Sequence, residues 1–107
     1  MWTKLIRLET VRAMRVNVKI MAPLYFGLNS IDQISLDLNL EEGSTVRDAV
    51  DILNTLYPGF KNKILDGDKL IKMHDILVNG RSIDFLDGLK TRLKDGDKIL
   101  IVSPFGG

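Results

Sequence analysis

The chain reads as an α+β domain in which one amphipathic helix lies across one face of a mixed sheet of four to five strands, and three observations predict it. Apolar and polar residues alternate with period two from Arg15 to Ala22 and again from Ile34 to Leu40, the mark of half-buried strands. Val46, Ala49, Val50, Leu53 and Leu56 recur at helical spacing. Ile99-Leu100-Ile101-Val102 is an unbroken aliphatic run of the kind found in the middle of a sheet. At 107 residues there is material for one modest core and one domain. That domain is expected over residues 14–107, with residues 1–13 as a flexible extension.

The elements follow in order. Val16, Val18, Ile20 and Ala22 share one face of the first strand, and Pro23 ends it. A loop through Tyr25, Gly27 and Asn29 leads to a second strand carrying Ile34, Leu36, Leu38 and Leu40, so the two are expected to pair as an antiparallel hairpin. Glu41-Glu42-Gly43 breaks the run, and Thr45 with Asp48 three residues on resembles a capping box opening the helix. Pro58-Gly59 stops the helix, Phe60 to Leu65 makes a short further turn, and Asp66-Gly67-Asp68 punctuates again. Ile76-Leu77-Val78 is a strand, Asn79-Gly80 a hairpin turn and Arg81-Ser82-Ile83 its brief return. A loop through Phe85, Leu86, Gly88 and Leu89 precedes the turn Lys94-Asp95-Gly96-Asp97 and the last strand.

Composition narrows the function. Fifteen Lys and Arg against fourteen Asp and Glu give a formal charge of +1, which supplies no field for nucleic acid or an anionic membrane. Absence of cysteine rules out disulfides, thiolate metal sites and a thiol nucleophile, and it suits an intracellular protein. The first thirteen residues lack the apolar core of a signal peptide and no stretch approaches a membrane span, so a cytoplasmic location is expected. Asp66-Gly67-Asp68 and Asp95-Gly96-Asp97 look like openings of calcium loops, but Leu70 and Ile99 fall where a third ligand should be, and ordinary turns are the better reading. His74, the sole histidine, has no assignable partner and reads as a structural or surface residue. No phosphate-binding glycine loop and no nucleophile with a positioned base occur, so no enzyme is indicated.

The chemistry concentrates at the end. Pro104 cannot extend a central ladder, so Pro104, Phe105, Gly106 and Gly107 should project from the fold. None carries a charged side chain, and the α-carboxylate of Gly107 sits on two residues without a Cβ, a tail that a narrow channel can admit. With Gly at ~7% of residues, Gly-Gly ends a chain by chance in roughly half a percent of proteins. A frayed end is the plain alternative.

Glu42-Gly43-Ser44-Thr45-Val46-Arg47-Asp48, Val78-Asn79-Gly80-Arg81, Leu93-Lys94-Asp95-Gly96-Asp97 and Ser103-Pro104-Phe105-Gly106-Gly107, in this order, carry a resemblance. The chain resembles the ubiquitin-like β-grasp sulfur carriers of the MoaD/ThiS family, nearest the small subunit of molybdopterin synthase and archaeal MoaD-like small modifiers, over Met14 to Gly107. The resemblance implies a ubiquitin-like β-grasp fold and a carrier that is not itself an enzyme and binds no cofactor. A ubiquitin-activating-type adenylating enzyme would use ATP to convert the Gly107 carboxylate to an acyl-adenylate. A persulfide sulfurtransferase would then make the thiocarboxylate. Pro104, Phe105 and Gly106 would thread into the partner, in the molybdopterin branch the large subunit of molybdopterin synthase.

Two features differ from molybdopterin-type relatives. Pro23-Leu24-Tyr25-Phe26-Gly27 stands where an Arg usually follows the first strand, and only Phe105 separates Pro104 from the glycine pair. The apolar loop makes Tyr25 and Phe26 candidate interface residues. Two rival readings stay open: a protein modifier joined to lysines through Gly107, and a β-grasp interaction module without tail chemistry.

Overall fold

The computed structural model describes residues 13–30 and 32–104. The expected extension, Ala13 apart, lies outside the described residues, as do Phe105, Gly106 and Gly107. Ala13 opens the first strand, β1 (Ala13–Ile20), where it pairs with Glu41 of β2 (Ile34–Glu41). There follow α1 (Val46–Leu56), α2 (Phe60–Ile64), β3 (Leu65–Asp66), β4 (Lys69–Leu70), β5 (Asp75–Val78), β6 (Arg81–Ser82) and β7 (Lys98–Val102). Short 3-10 turns cover Pro23–Phe26, Ile83–Phe85 and Gly88–Lys90.

A five-stranded sheet has the order β2-β1-β7-β5-β6, with β1 antiparallel to β2 and parallel to β7, and β5 antiparallel to both β7 and β6. The aliphatic run of β7 thus occupies the centre, as its lack of alternation predicts. Ile99 and Ile101 are buried on the helix side, while Leu100 and Val102 are half-buried on the other.

The alternation in β1 puts Met14, Val16, Val18 and Ile20 on the buried face, and β2 adds Leu38 and Leu40. Helix α1 covers them with Val46, Ala49, Val50 and Leu53, all members of one continuous core with Ile76, Val78, Ile99 and Ile101. Leu56 departs from the expected stripe and is 51% exposed, because the helix ends there and Tyr57 turns the chain away. Phe60 and Ile64 on α2 close the core beneath, both fully buried. A separate β3–β4 hairpin, around Asp66-Gly67-Asp68, was not expected. Its two-residue strands are too short to generate a period.

The helix start follows its sequence. Asp48 Oδ2 accepts from Thr45 N at 2.8 Å, and Asp48 N donates to Thr45 Oγ1 at 3.4 Å, a capping box. The preceding segment is tied to the loop before β7: Val46 N donates to Thr91 O and Leu93 N to Ser44 O. Asp48→Ala is expected to lower stability by about 1 kcal/mol in urea titration, the usual worth of a cap. A change below ~0.3 kcal/mol would mean that these tertiary bonds alone hold the helix start.

Candidate functional site

The turn before β7 fixes where the last strand begins. Arg15 N donates to Asp95 Oδ1 at 2.8 Å, Gly96 N to Arg15 O at 2.8 Å, and Lys94 N to Asp97 Oδ2 at 2.8 Å. Asn79 adds two more, donating from Nδ2 to Asp97 Oδ1 at 2.9 Å and accepting from Lys98 N at 3.0 Å. Asn79 has φ 52 and Gly80 φ 84, the left-handed pair that a two-residue hairpin needs. These carboxylates of the Asp95-Gly96-Asp97 turn therefore hold backbone and amide N–H groups. In the other turn, Asp68 pairs with Arg47.

The Arg47 hydrogen bond and charge lower the Asp68 carboxyl below its ordinary value. A lowered carboxylate contributes stability above its unfolded-state pKa and loses it as pH falls through the folded-state one. Both partners face solvent, so the contribution is screened. An open recess of about 350 Å³ beside this pair is lined by Asp68, Lys69, Leu70, Ile83, Asp84, Gly88 and Leu89. It brings together no nucleophile with a base.

At its other end β7 runs out of partners where expected. Ile101 is the last residue registered with β1, opposite Ile20, and Val102 the last with β5, opposite Asp75. Met21 N still reaches Ile101 O at 3.1 Å. Ser103 is unpaired yet only 2% exposed, and Pro104 is exposed. Of the four projecting residues read from sequence, Pro104 is described and clears the sheet, while Phe105, Gly106 and Gly107 lie outside the described residues.

The loop residues divide. Phe26 is not a surface for a partner: it is 3% exposed, with its ring 4.8 Å from that of Phe60. Gly27, at φ 81, turns the chain so that Phe26 points inward. Tyr25 stays half-buried at the surface, edge-on to Phe26 at 5.0 Å, with the Lys63 ammonium 5.6 Å from its ring centre. Its hydroxyl lies 2.8 Å from His74 Nε2. Sequence reasoning left His74 without a partner, and no local signal could supply one across a separation of 49 positions.

Among the described residues no helix is long and apolar enough to cross a membrane, and no three His, Asp or Glu side chains gather as metal ligands. The geometry offers one core under a five-stranded mixed sheet whose central strand ends its pairing at Val102, and comparison with known proteins places that fold in a family. The model of the ThiS family matches residues 24–107. Small archaeal modifier protein 3 of Haloferax volcanii is 32% identical over 78 residues, 72% of this chain and 84% of its own. A protein of Archaeoglobus fulgidus, provisionally named a sulfur carrier, is 33% identical over 79 residues, 73% of this chain and 89% of its own. Among solved structures, a chain of the Amycolatopsis orientalis BexX/CysO complex superposes with TM-score 0.68 at 26% identity, covering 86% of this chain and 98% of that one. It is an instance of such a fold held by a partner protein. With its five-stranded mixed sheet, single main helix and these relatives, the chain belongs to the ThiS family of ubiquitin-like β-grasp proteins, the small sulfur carriers and modifiers.

Proposed function

We propose that this protein is a cytoplasmic sulfur carrier activated at Gly107: a ubiquitin-activating-type enzyme uses ATP to form the acyl-adenylate, the persulfide of a sulfurtransferase displaces AMP to give an acyl disulfide, and a thiol cleaves that disulfide, being oxidised as it releases the thiocarboxylate. The sulfur then passes to the dithiolene of molybdopterin, with this chain as the small subunit of molybdopterin synthase and its tail in the large subunit. The observation that carries the reading is the position of β7. The central strand ends its pairing at Val102, so the uncharged residues 104–107 follow directly from the most firmly held strand of the domain. Activation converts a poor leaving group into a good one, and the carrier need supply only the reacting carboxylate. ATP is spent by the activating enzyme, and no cofactor is held by the carrier.

A second reading is favoured by a specific finding, the similarity to a small archaeal modifier protein. In it the same activated Gly107 forms an isopeptide with a partner's lysine. Intact mass of the protein isolated from its own cells separates the two. Exchange of one oxygen for sulfur at the terminus, without lysine conjugates, is the carrier's result. Conjugates carrying the mass of the whole chain, joined through Gly107 to a partner's lysine, with no thiocarboxylate, would replace the carrier by the modifier. Loss of molybdoenzyme activity on deletion of the gene, restored by the full chain, is expected in the molybdopterin branch. Unaltered activity would remove that branch.

A further inference from the structure

The two edges of the sheet are unlike. β6 is two residues long and offers almost no ladder, whereas β2 runs for eight residues and is in register with β1 at every position. Long, straight edges are commonly blunted by a bulge, a proline or a lysine, and β2 contains none of these. Among the described residues β1 is its one neighbour in the sheet.

The backbone directions on β2 follow from those on β1. Asn17 N donates to Asp97 O at 3.0 Å and Met21 N to Ile101 O at 3.1 Å, so the odd-numbered residues of β1 turn their backbone groups to β7. Successive residues of a strand point theirs to opposite edges, so Met14, Val16, Val18 and Ile20 face β2 and bond with Leu40, Leu38, Leu36 and Ile34. Ser35, Asp37, Asn39 and Glu41 therefore turn N–H and C=O outward. The Glu41 carbonyl accepts from Ser44 N at 3.1 Å, while the other three carbonyls and all four N–H groups have no partner among the described residues.

The same four residues carry their side chains on the sheet face away from the helix, and all are exposed. Two of them are carboxylates. On β1, Arg15 stands opposite Asn39 and Lys19 opposite Ser35, yet neither forms an ion pair with Asp37 or Glu41 among the described residues. Asp37 Oδ1 accepts from the neutral amide of Asn17 at 3.1 Å. On the helix side of the strand, Ile34 and Leu36 stay half-buried and still show apolar surface.

We propose that the outer edge of β2 is a docking site for an extended segment of a partner protein, added to the sheet as one more strand, with Lys or Arg at two positions four residues apart and apolar residues at the alternate positions. In antiparallel pairing the two cations stand opposite Glu41 and Asp37, and the apolar residues stand beside Leu40, Leu38 and Leu36. Backbone bonds give such a site its affinity and alternate side chains its selection. A second copy of this chain is the wrong occupant. Antiparallel pairing of β2 with β2 brings Asp37 and Glu41 of both chains onto one face, opposite or diagonal to each other, where like charges repel. β1 lies between β2 and β7, so this partner is held apart from the strand that leads to Gly107, and docking needs no activation of that residue.

The test is an NMR titration of the full chain with a capped peptide, Lys-Val-Thr-Val-Lys-Val-Thr, read at backbone amides. In the free chain the amides of Ser35, Asp37, Asn39 and Glu41 are expected to exchange with solvent faster than those of Leu36 and Leu38, and to become protected as peptide is added. Replacing both lysines of the peptide by Glu should weaken binding about tenfold, since two cross-strand attractions become repulsions. N-methylation of its first Thr, which removes the N–H aimed at Asn39 O, should weaken binding about fivefold. The double variant Asp37→Lys, Glu41→Lys should reverse the preference between the lysine and glutamate peptides. No protection of the four amides at millimolar peptide, or equal binding of the lysine peptide and either altered one, would overturn the proposal. Edge amides already protected in the free chain would overturn it as well: the occupant is then the chain's own residues 1–12 if the protein sediments as a monomer, and a second copy if it sediments as a dimer.

Discussion

Protein lacking Gly106 and Gly107 is expected to unfold at nearly the same midpoint as the full chain and to accept no AMP from its adenylating enzyme. Among the described residues ladder pairing ends at Val102 and Pro104 is exposed, so the truncation leaves every described ladder hydrogen bond in place. Stability should move by less than ~1 kcal/mol. Activation loses the Gly107 carboxylate, and the new one on Phe105 is two residues short and carries a bulky side chain. Gly107→Ala tests the same point more gently, because one methyl beside the carbonyl biases φ negative and crowds the site of attack without touching the sheet. Undiminished biological activity of the truncated form would leave only an interaction module standing.

Phe60→Ala should bring the largest loss of stability, about 3 to 5 kcal/mol in urea or thermal unfolding. The side chain is fully buried, and its ring supports Phe26, which supports Tyr25. A cavity here cannot be filled by solvent-facing neighbours without dragging α2 inward. Lys61→Ala is the comparison: its amine meets Asp51 at 2.9 Å at the surface, and the change should stay within about 1 kcal/mol. Equal small losses from both would show that α2 is peripheral to the core.

The difference between Phe60 and Phe26 also marks what sequence could and could not reveal. Strands β1 and β2 were legible because one buried face imposes period two over eight residues each. The cap at Thr45 and Asp48 was legible because its bonds are local. Phe26 was misread as a surface residue because a four-residue 3-10 turn has no period to show which side faces inward. The β3–β4 hairpin escaped for the same reason. At the site, Pro104 announced the end of pairing, since a missing N–H is a property of one residue. The Tyr25–His74 bond did not announce itself, because it depends on β7 entering between β1 and β5, a fact of topology rather than of either neighbourhood.

That central strand has a mechanical consequence. A pull on residue 104 along the axis of β7 loads the ladders to β1 and β5 together, in shear, so that their bonds share the tension. An edge strand would peel away one bond at a time under the same force. Extraction must therefore cross a barrier set by many bonds breaking at once, and forced unfolding is governed by that barrier. A partner protein that pulled on residue 104 would therefore draw up the whole domain before β7 gave way.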